Sequence, residues 1–327
     1  MILTKEQIKA LIWGAVHYDE QDGYLKPRRF TPKQVAYYES YPNGDFPRKA
    51  RSTSSIAFCC RTDATEIAFD YSIQKASSRN LSFVDFFVDG VMVDHQGNGE
   101  PGDSFGTFRF SLPEGTHSVK IAFSGLSAIG IKGIALENAT VAEPLRPSYR
   151  VLTFGDSITQ GYDAAYPSQS YANLLAASLN AEMVNQAIGG EVFNPGLVDA
   201  DIPFDPDIVT VAYGTNDFSK RKHDDFVSDA TEFYARVRKT FPRAKLFAIL
   251  PIWRADEDTR VTDVGTLAYA RDVIRGIAAK LENTVVIEGL PLVPHIPEFY
   301  SDLRLHPNDM GFKFYGEALA NEVKKHL

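Results

Sequence analysis

The stretch "EPLRPSYRVLTFGDSITQGYD", Glu143 to Asp163, separates two rhythms in the chain. Pro144 and Pro147 mark a linker, and "YRVLTF" behind them reads as a short, mostly apolar strand that stops at Gly-Asp-Ser. Upstream, apolar residues recur with period two. Ile67, Phe69, Tyr71 and Ile73 share one face of "EIAFDYSI", Phe108 and Phe110 alternate, and so do Val119, Ile121 and Phe123. "SFVDFFVDGVMVDH" reads as two strands joined at Asp89-Gly90, a strong hairpin signal. Short strands between Gly, Pro and Asp turns predict an all-β sandwich of jelly-roll type over residues 1–146. In this half only "TKEQIKALI" has helical spacing, with Thr4 as its N-cap. The acidic "HYDEQDG" lacks the alternating ligands of a calcium loop and reads as a solvated loop.

Downstream, strands and helices alternate. "YRVLTF", "AEMVNQAI", "DIVTVAYG", "KLFAILPIW" and "TVVIEG" are strands. Between and after them, "SYANLLAASL", "DDFVSDATEFYARVRKTF", "DVGTLAYARDVIRGIAAKLEN" and "DMGFKFYGEALANEVKKHL" are helices. That order predicts a mostly parallel sheet over residues 147–327, covered by helices on both faces. In such sheets, sites form where strands deliver their C-terminal ends. Ser157, Gly189-Gly190 and "GTND" (Gly214 to Asp217) each follow a strand, so three loops distant in sequence can meet at one rim.

Composition narrows the class of function. With 327 residues, 44% hydrophobic and 23% charged, the chain is an ordinary globular protein long enough for two domains. A formal net charge of −8 argues against a general nucleic-acid binder. The two cysteines, Cys59 and Cys60, are adjacent and ill placed for a mutual disulfide, so they read as reduced, buried thiols suited to a reducing compartment. The N-terminal residues carry no signal-peptide pattern, and no window is apolar enough to span a membrane; the expectation is a cytoplasmic protein with no membrane partner.

A serine reacts only when a base takes its proton, and a base near neutral pH points to histidine. Of seven histidines, His306 stands out in "DLRLHPND": Pro307 stiffens its turn, and Asn308 or Asp309 can cap the helix that follows. His295, in "LVPHIP", is the reserve. A tetrahedral intermediate also needs donors for its oxyanion. The backbone N–H of Ser157, that of a glycine, and the side-chain amide of Asn216 are the candidates. Asp156 is expected to bond its own turn, and Asp217 to cap a helix. Tyr162, Tyr166, Phe193 and Trp253 lie near the site loops; Tyr162 and Trp253 are the candidate substrate-binding residues.

"GDSIT", "NQAIGG", "YGTND" and "LHPND" resemble, in order, the four sequence blocks of the SGNH (GDSL-type) hydrolases. The resemblance implies a flavodoxin-like three-layer α/β domain and a serine esterase without metal or organic cofactor. In it Ser157 is the nucleophile and first oxyanion donor, Gly190 the second donor with Gly189 as fallback, Asn216 the third, and His306 the base. The family usually has an aspartate three residues before that histidine. Here Leu303 holds that place and Asp302 lies one residue further back. Either a local shift lets Asp302 orient the imidazole, or a backbone carbonyl does so in a Ser-His dyad. The β half ahead of this domain resembles the arrangement of carbohydrate esterase family two. That implies a short acyl ester, acetyl on a carbohydrate, and hence a small-molecule or glycan ester as partner. The alternatives are a glycan-binding protein without turnover and a lipase- or thioesterase-type acylhydrolase using the same residues. A phosphate binder ranks last, because the opening loop has no lysine and sets an acid against the anion.

Overall fold

The structure is a computed structural model that describes residues 1–41, 44–79, 81–99 and 104–327. Among the described residues the N-terminal half holds eleven strands: β1 (Ile12–Trp13), β2 (His17–Gln21), β3 (Tyr24–Arg28), β4 (Ala57–Thr62), β5 (Glu66–Lys75), β6 (Ser82–Val88), β7 (Val91–Asn98), β8 (Ser104–Ser111), β9 (His117–Ala122), β10 (Ser127–Glu137) and β11 (Ala142–Pro144). They form two antiparallel sheets. One runs β1-β4-β9-β6-β7 with β11 also on β4, the other β2-β3-β10-β5-β8. Their inner faces share one core, in which Phe58, Val119, Ile121 and Phe86 of the first sheet meet Ile67, Phe69, Phe108 and Ile131 of the second. This is the sandwich that the period-two alternation dictates. Asp89 and Gly90 both adopt positive φ (48° and 81°), as a two-residue hairpin between right-twisted strands requires.

Two readings of this half need correction. "HYDEQDG" is not a loop. Its first five residues are β2, and Asp22 (φ 54°) and Gly23 (φ 80°) turn it into β3. Nor is α1 (Lys5–Ala10), capped by Thr4, the sole helix. Between β3 and β4 lie α2 (Pro32–Ser40) and α3 (Phe46–Ala50). Thr31 caps α2 in a reciprocal capping box with Gln34, and Pro32 stands at its first turn. These helices leave the sandwich. Phe30, Tyr38, Phe46 and Ala50 form a small core with Ile188 and Leu197 of the C-terminal half. Cys59 and Cys60 are buried free thiols, and burial pushes each up to about 12.

The C-terminal half carries a parallel sheet, β13-β12-β14-β15-β16, from β12 (Tyr149–Gly155), β13 (Ala181–Ala187), β14 (Ile208–Ala212), β15 (Lys245–Ile249) and β16 (Thr284–Ile287). Alternate strand residues feed two cores. Leu152, Phe154, Val209 and Val211 pack beneath α7 (His223–Thr240) and α8 (Leu267–Ala278). Val151, Met183, Ile208 and Phe247 pack beneath α5 (Tyr171–Ser178) and α9 (Asp309–Lys324). The protein is therefore a three-layer α/β domain of flavodoxin-like type preceded by a β-sandwich. From β12 the chain goes to β13 on one side and then crosses to β14 on the other. The C-terminal end of β12, where Ser157 follows, is thus the switch point of the sheet. Among the described residues no helix is long and apolar enough to cross a membrane.

Candidate active site

Gly155 ends β12 paired with both Ala187 and Ala212. A Cβ on it would lie 2.1 Å from Thr159 Oγ1, so only glycine lets the chain bend this sharply into the short helix α4 (Ser157–Gln160). Asp156 caps that helix by accepting from the Ile158 N–H at 2.9 Å. Burial raises its carboxyl to about 6 against the lowering effect of that bond. Gly161, at φ 94°, closes the helix, and the Tyr162 N–H donates to the Ser157 carbonyl. Ser157 is left 6% exposed at the rim.

His306 arrives on a different scaffold. The Ser301 N–H donates to its carbonyl at 2.8 Å, Tyr300 bridges Pro307, and Asn308 caps α9 through the Gly311 N–H. Its Nε2 lies 2.9 Å from Ser157 Oγ, and its Nδ1 lies 2.9 Å from Asp302 Oδ2. The one-residue offset is absorbed at Leu303, an exposed residue with φ 55°. That left-handed residue turns Asp302 back on its own loop, so Oδ1 accepts from the N–H groups of Arg304 (3.0 Å), Leu305 (2.6 Å) and His306 (3.1 Å). Partial burial alone would raise the Asp302 carboxyl. The His306 bond and the three backbone donors outweigh it and hold the group well below the usual carboxylate range.

The loop after β13 makes a turn, closed by the Glu191 N–H on the Ile188 carbonyl at 3.0 Å. Its two glycines differ. The Gly189 N–H donates to Gln160 Oε1 at 2.8 Å, whereas the Gly190 N–H has no acceptor among the described residues. Asn216, in the first turn of α6 (Thr215–Lys220), donates to the Glu191 carbonyl at 3.0 Å and keeps its second N–H free among the described residues. Ser157, Gly190 and Asn216 thus follow the C-terminal ends of β12, β13 and β14, and His306 with Asp302 reaches Ser157 from the loop before α9. Asp217 does not cap α6: Oδ1 accepts from the Phe193 N–H, Oδ2 is buried without a partner among the described residues, and burial pushes the group up to about 7. Glu191 is similar: Oε1 accepts from the Val192 N–H, and burial raises the group to about 7 against the lowering effects of Tyr38, that bond and Asn194.

The four aromatic candidates separate. Tyr162 is buried beside the relay, its ring centroid 6.0 Å from that of His306. It fills the space a Gly189 Cβ would need, 2.5 Å from Tyr162 Cζ. Trp253 instead stacks on His295 (5.4 Å) and packs on Tyr300 (5.3 Å), backing the loop that leads to His306. His295 itself bonds the Leu290 carbonyl. Tyr166 packs on His95, and Phe193 is core.

Several residues at the rim went unread in the sequence. Arg79, from the β5–β6 loop, lies 5.4 Å over the Tyr162 ring and grips both oxygens of Asp163, which also accepts from Ser301 Oγ at 2.6 Å. Lys49 of α3 donates to the Gly189 carbonyl at 2.8 Å, and Lys220 to the Gly190 carbonyl at 2.9 Å. Lys220 stands four residues after Asn216, one helical turn along the same face, a spacing that was available to read. Nothing in the sequence places Arg79 or Lys49 near Ser157.

Residues 153–314 match the GDSL-like lipase/acylhydrolase family. No curated relative matches the sequence. Several solved structures share the fold at low identity. A salicylyl-acyltransferase, SsfX3, from a tetracycline biosynthetic pathway superposes with TM-score 0.80 at 22% identity, over 96% of this chain and 94% of that one. A family two carbohydrate esterase from Clostridium thermocellum, in complex with cellohexaose, gives 0.68 at 18% identity over 96% and 98%. An acetyl xylan esterase from the rumen bacterium Butyrivibrio proteoclasticus gives 0.63 at 14% identity over 99% and 96%. The α/β half of this chain thus carries the match to the GDSL-like lipase/acylhydrolase family, and the chain shares its overall fold with the family two carbohydrate esterases.

Proposed function

We propose that the chain is a serine carboxylic ester hydrolase that removes short acyl groups, acetyl in the first place, from a carbohydrate. The observation that carries this reading is the relay of Ser157 Oγ, His306 and Asp302, at 2.9 Å and 2.9 Å. With Nδ1–H held on ionised Asp302, His306 presents an unprotonated Nε2 to the serine hydroxyl. Ser157 Oγ attacks the ester carbonyl as Nε2 takes its proton. The oxyanion is met by the N–H groups of Ser157 and Gly190 and by the Asn216 amide. Collapse of the intermediate expels the alcohol, which leaves with the proton from Nε2. Water, deprotonated by the same nitrogen, then attacks the acyl-Ser157 ester and releases the carboxylic acid.

Two features support a short acyl group on a sugar. Tyr162 is packed against both Gly189 and His306, which narrows the floor beside the nucleophile. Among the structures of the same fold, one binds cellohexaose and another is an acetyl xylan esterase. The test is a screen of aryl esters with acyl chains of two to ten carbons, beside acetylated xylan and acetylated monosaccharides. The acetyl esters should turn over fastest, and Ser157→Ala and His306→Ala should each lose at least about a thousandfold in kcat. A preference for long chains would make the protein a lipase. Sugar binding without hydrolysis of any ester would make it a binding protein.

A further inference from the structure

We propose that Lys49 is a positioning residue for the oxyanion hole: its ammonium fixes the orientation of the Gly189–Gly190 peptide and so aims the Gly190 N–H at the reacting carbonyl. The proposal rests on the esterase reading above and adds a part to it from the β half of the chain.

The bistable element is the turn Ile188–Glu191, closed by the Glu191 N–H on the Ile188 carbonyl. Gly190 sits third in it with φ 94°, the mark of a type II turn. Types I and II differ by a flip of the central peptide, here the one joining Gly189 to Gly190. Glycine at both central positions leaves that flip sterically open. One orientation offers the site an N–H; the other offers it a carbonyl oxygen, which would repel an oxyanion. The carbonyl oxygen of this peptide belongs to Gly189, and Lys49 Nζ holds it at 2.8 Å on the side away from the N–H. A cation on the oxygen also polarises the amide and makes its N–H a better donor.

The neighbouring carbonyls are held in the same way but do different work. Lys220 holds that of Gly190, whose peptide carries the Glu191 N–H already used to close the turn. Asn216 holds that of Glu191, whose peptide carries the Val192 N–H bound to Glu191 Oε1. Of the three, only Lys49 acts on a peptide whose N–H has no acceptor among the described residues.

Lys49 is itself fixed. Asp45, one helical turn earlier, lies 3.2 Å from its Nζ. Its backbone carbonyl accepts from Arg29, a fully buried guanidinium that also donates to the Asn185 and Ala187 carbonyls of β13 and to Ser52. The helix bearing the lysine and the strand leading into the turn are thus tied to one side chain.

The experiment compares Lys49→Met, Lys49→Gln and Lys49→Arg with wild type on an aryl acetate, each rate divided by the active-site titre so that loss of folded protein does not count. A boronic acid that forms a tetrahedral adduct on serine is titrated alongside. Lys49→Met should lower kcat about tenfold or more, leave KM within twofold, and weaken the boronate by the same factor as kcat/KM. Lys49→Arg should recover most of both, and Lys49→Gln, a neutral donor, should fall between. Wild-type kcat and boronate affinity in Lys49→Met, with Ser157→Ala inactive, would overturn the role of Lys49 and leave the esterase reading standing. Equal losses in the Met and Arg variants would also overturn it, because packing of α3 would then be what matters. Full activity in Ser157→Ala would bring down both.

Discussion

Replacing Asp302 by asparagine tests the relay more sharply than deleting it, because the surrounding loop dictates how the new amide must sit. Oδ1 of Asp302 faces three backbone donors, the N–H groups of Arg304, Leu305 and His306. An asparagine with its NH2 there would set donor against donor three times, so its oxygen must take that place. Its NH2 then faces His306 Nδ1 and donates to it. A ring that accepts at Nδ1 carries its proton on Nε2, the nitrogen that must receive the proton of Ser157. The loop therefore locks the imidazole in the unreactive tautomer. In a serine protease the equivalent change costs about 10⁴ in kcat, or about 5.5 kcal/mol of activation free energy. Asp302→Asn should approach that loss on an aryl acetate, with KM little changed and thermal stability nearly kept, since the three backbone bonds survive. Asp302→Ala frees the ring to rotate but removes those bonds too, so it should lose activity and some stability together. The assay is steady-state kinetics with active-site titration, beside a thermal melt. Retention of more than a tenth of wild-type kcat in Asp302→Asn would refute the reasoning and favour a Ser-His dyad oriented by a backbone carbonyl.

Two further outcomes follow from the buried groups around this rim. Glu191 is raised by burial from 4.5 to about 7. The folded state therefore holds a proton that the unfolded state releases, and stability should fall as pH rises from about 4.5 to 7, by about 3 kcal/mol for this group alone. Glu191→Gln should flatten that slope and gain most at pH 8, read by urea unfolding at pH 5 and 8; parallel loss in both proteins would disprove it. Arg29 places five N–H groups on oxygens of both halves, four of them in buried bonds. Arg29→Met should cost about 3 kcal/mol or more, because it strands those acceptors, and a cost under about 1 kcal/mol by the same method would show the bonds are not what joins the halves.

What the sequence revealed and what it withheld divide along the range of the interactions. Strand alternation and the Asp89-Gly90 turn act between near neighbours, and both appear as read. The shift at Leu303 is also local, yet the composition around it does not announce a left-handed leucine. The hairpin at Asp22-Gly23 was written in the same code as the one at Asp89-Gly90, but its flanking residues are charged rather than alternating and hid it. Helix α2 announced itself only by Thr31, Pro32 and Gln34, since the residues it buries include a glutamine and a tyrosine rather than an aliphatic stripe.

Lys49, Arg29 and Arg79 belong to the other class: each reaches a partner more than 80 positions away, and no pattern within a window encodes that. All three come from the β half. The Gly189–Gly190 turn is held by one of them, the strand leading into it by the second, and the Asp163–Ser301 contact beside the His306 loop by the third. Ser157 and His306, both within the α/β half, thus sit among supports that this half does not encode. These contacts form only when the sandwich and its two excursion helices have docked, so on the proposed esterase reading folding of the β half is a condition for catalysis rather than an addition to it.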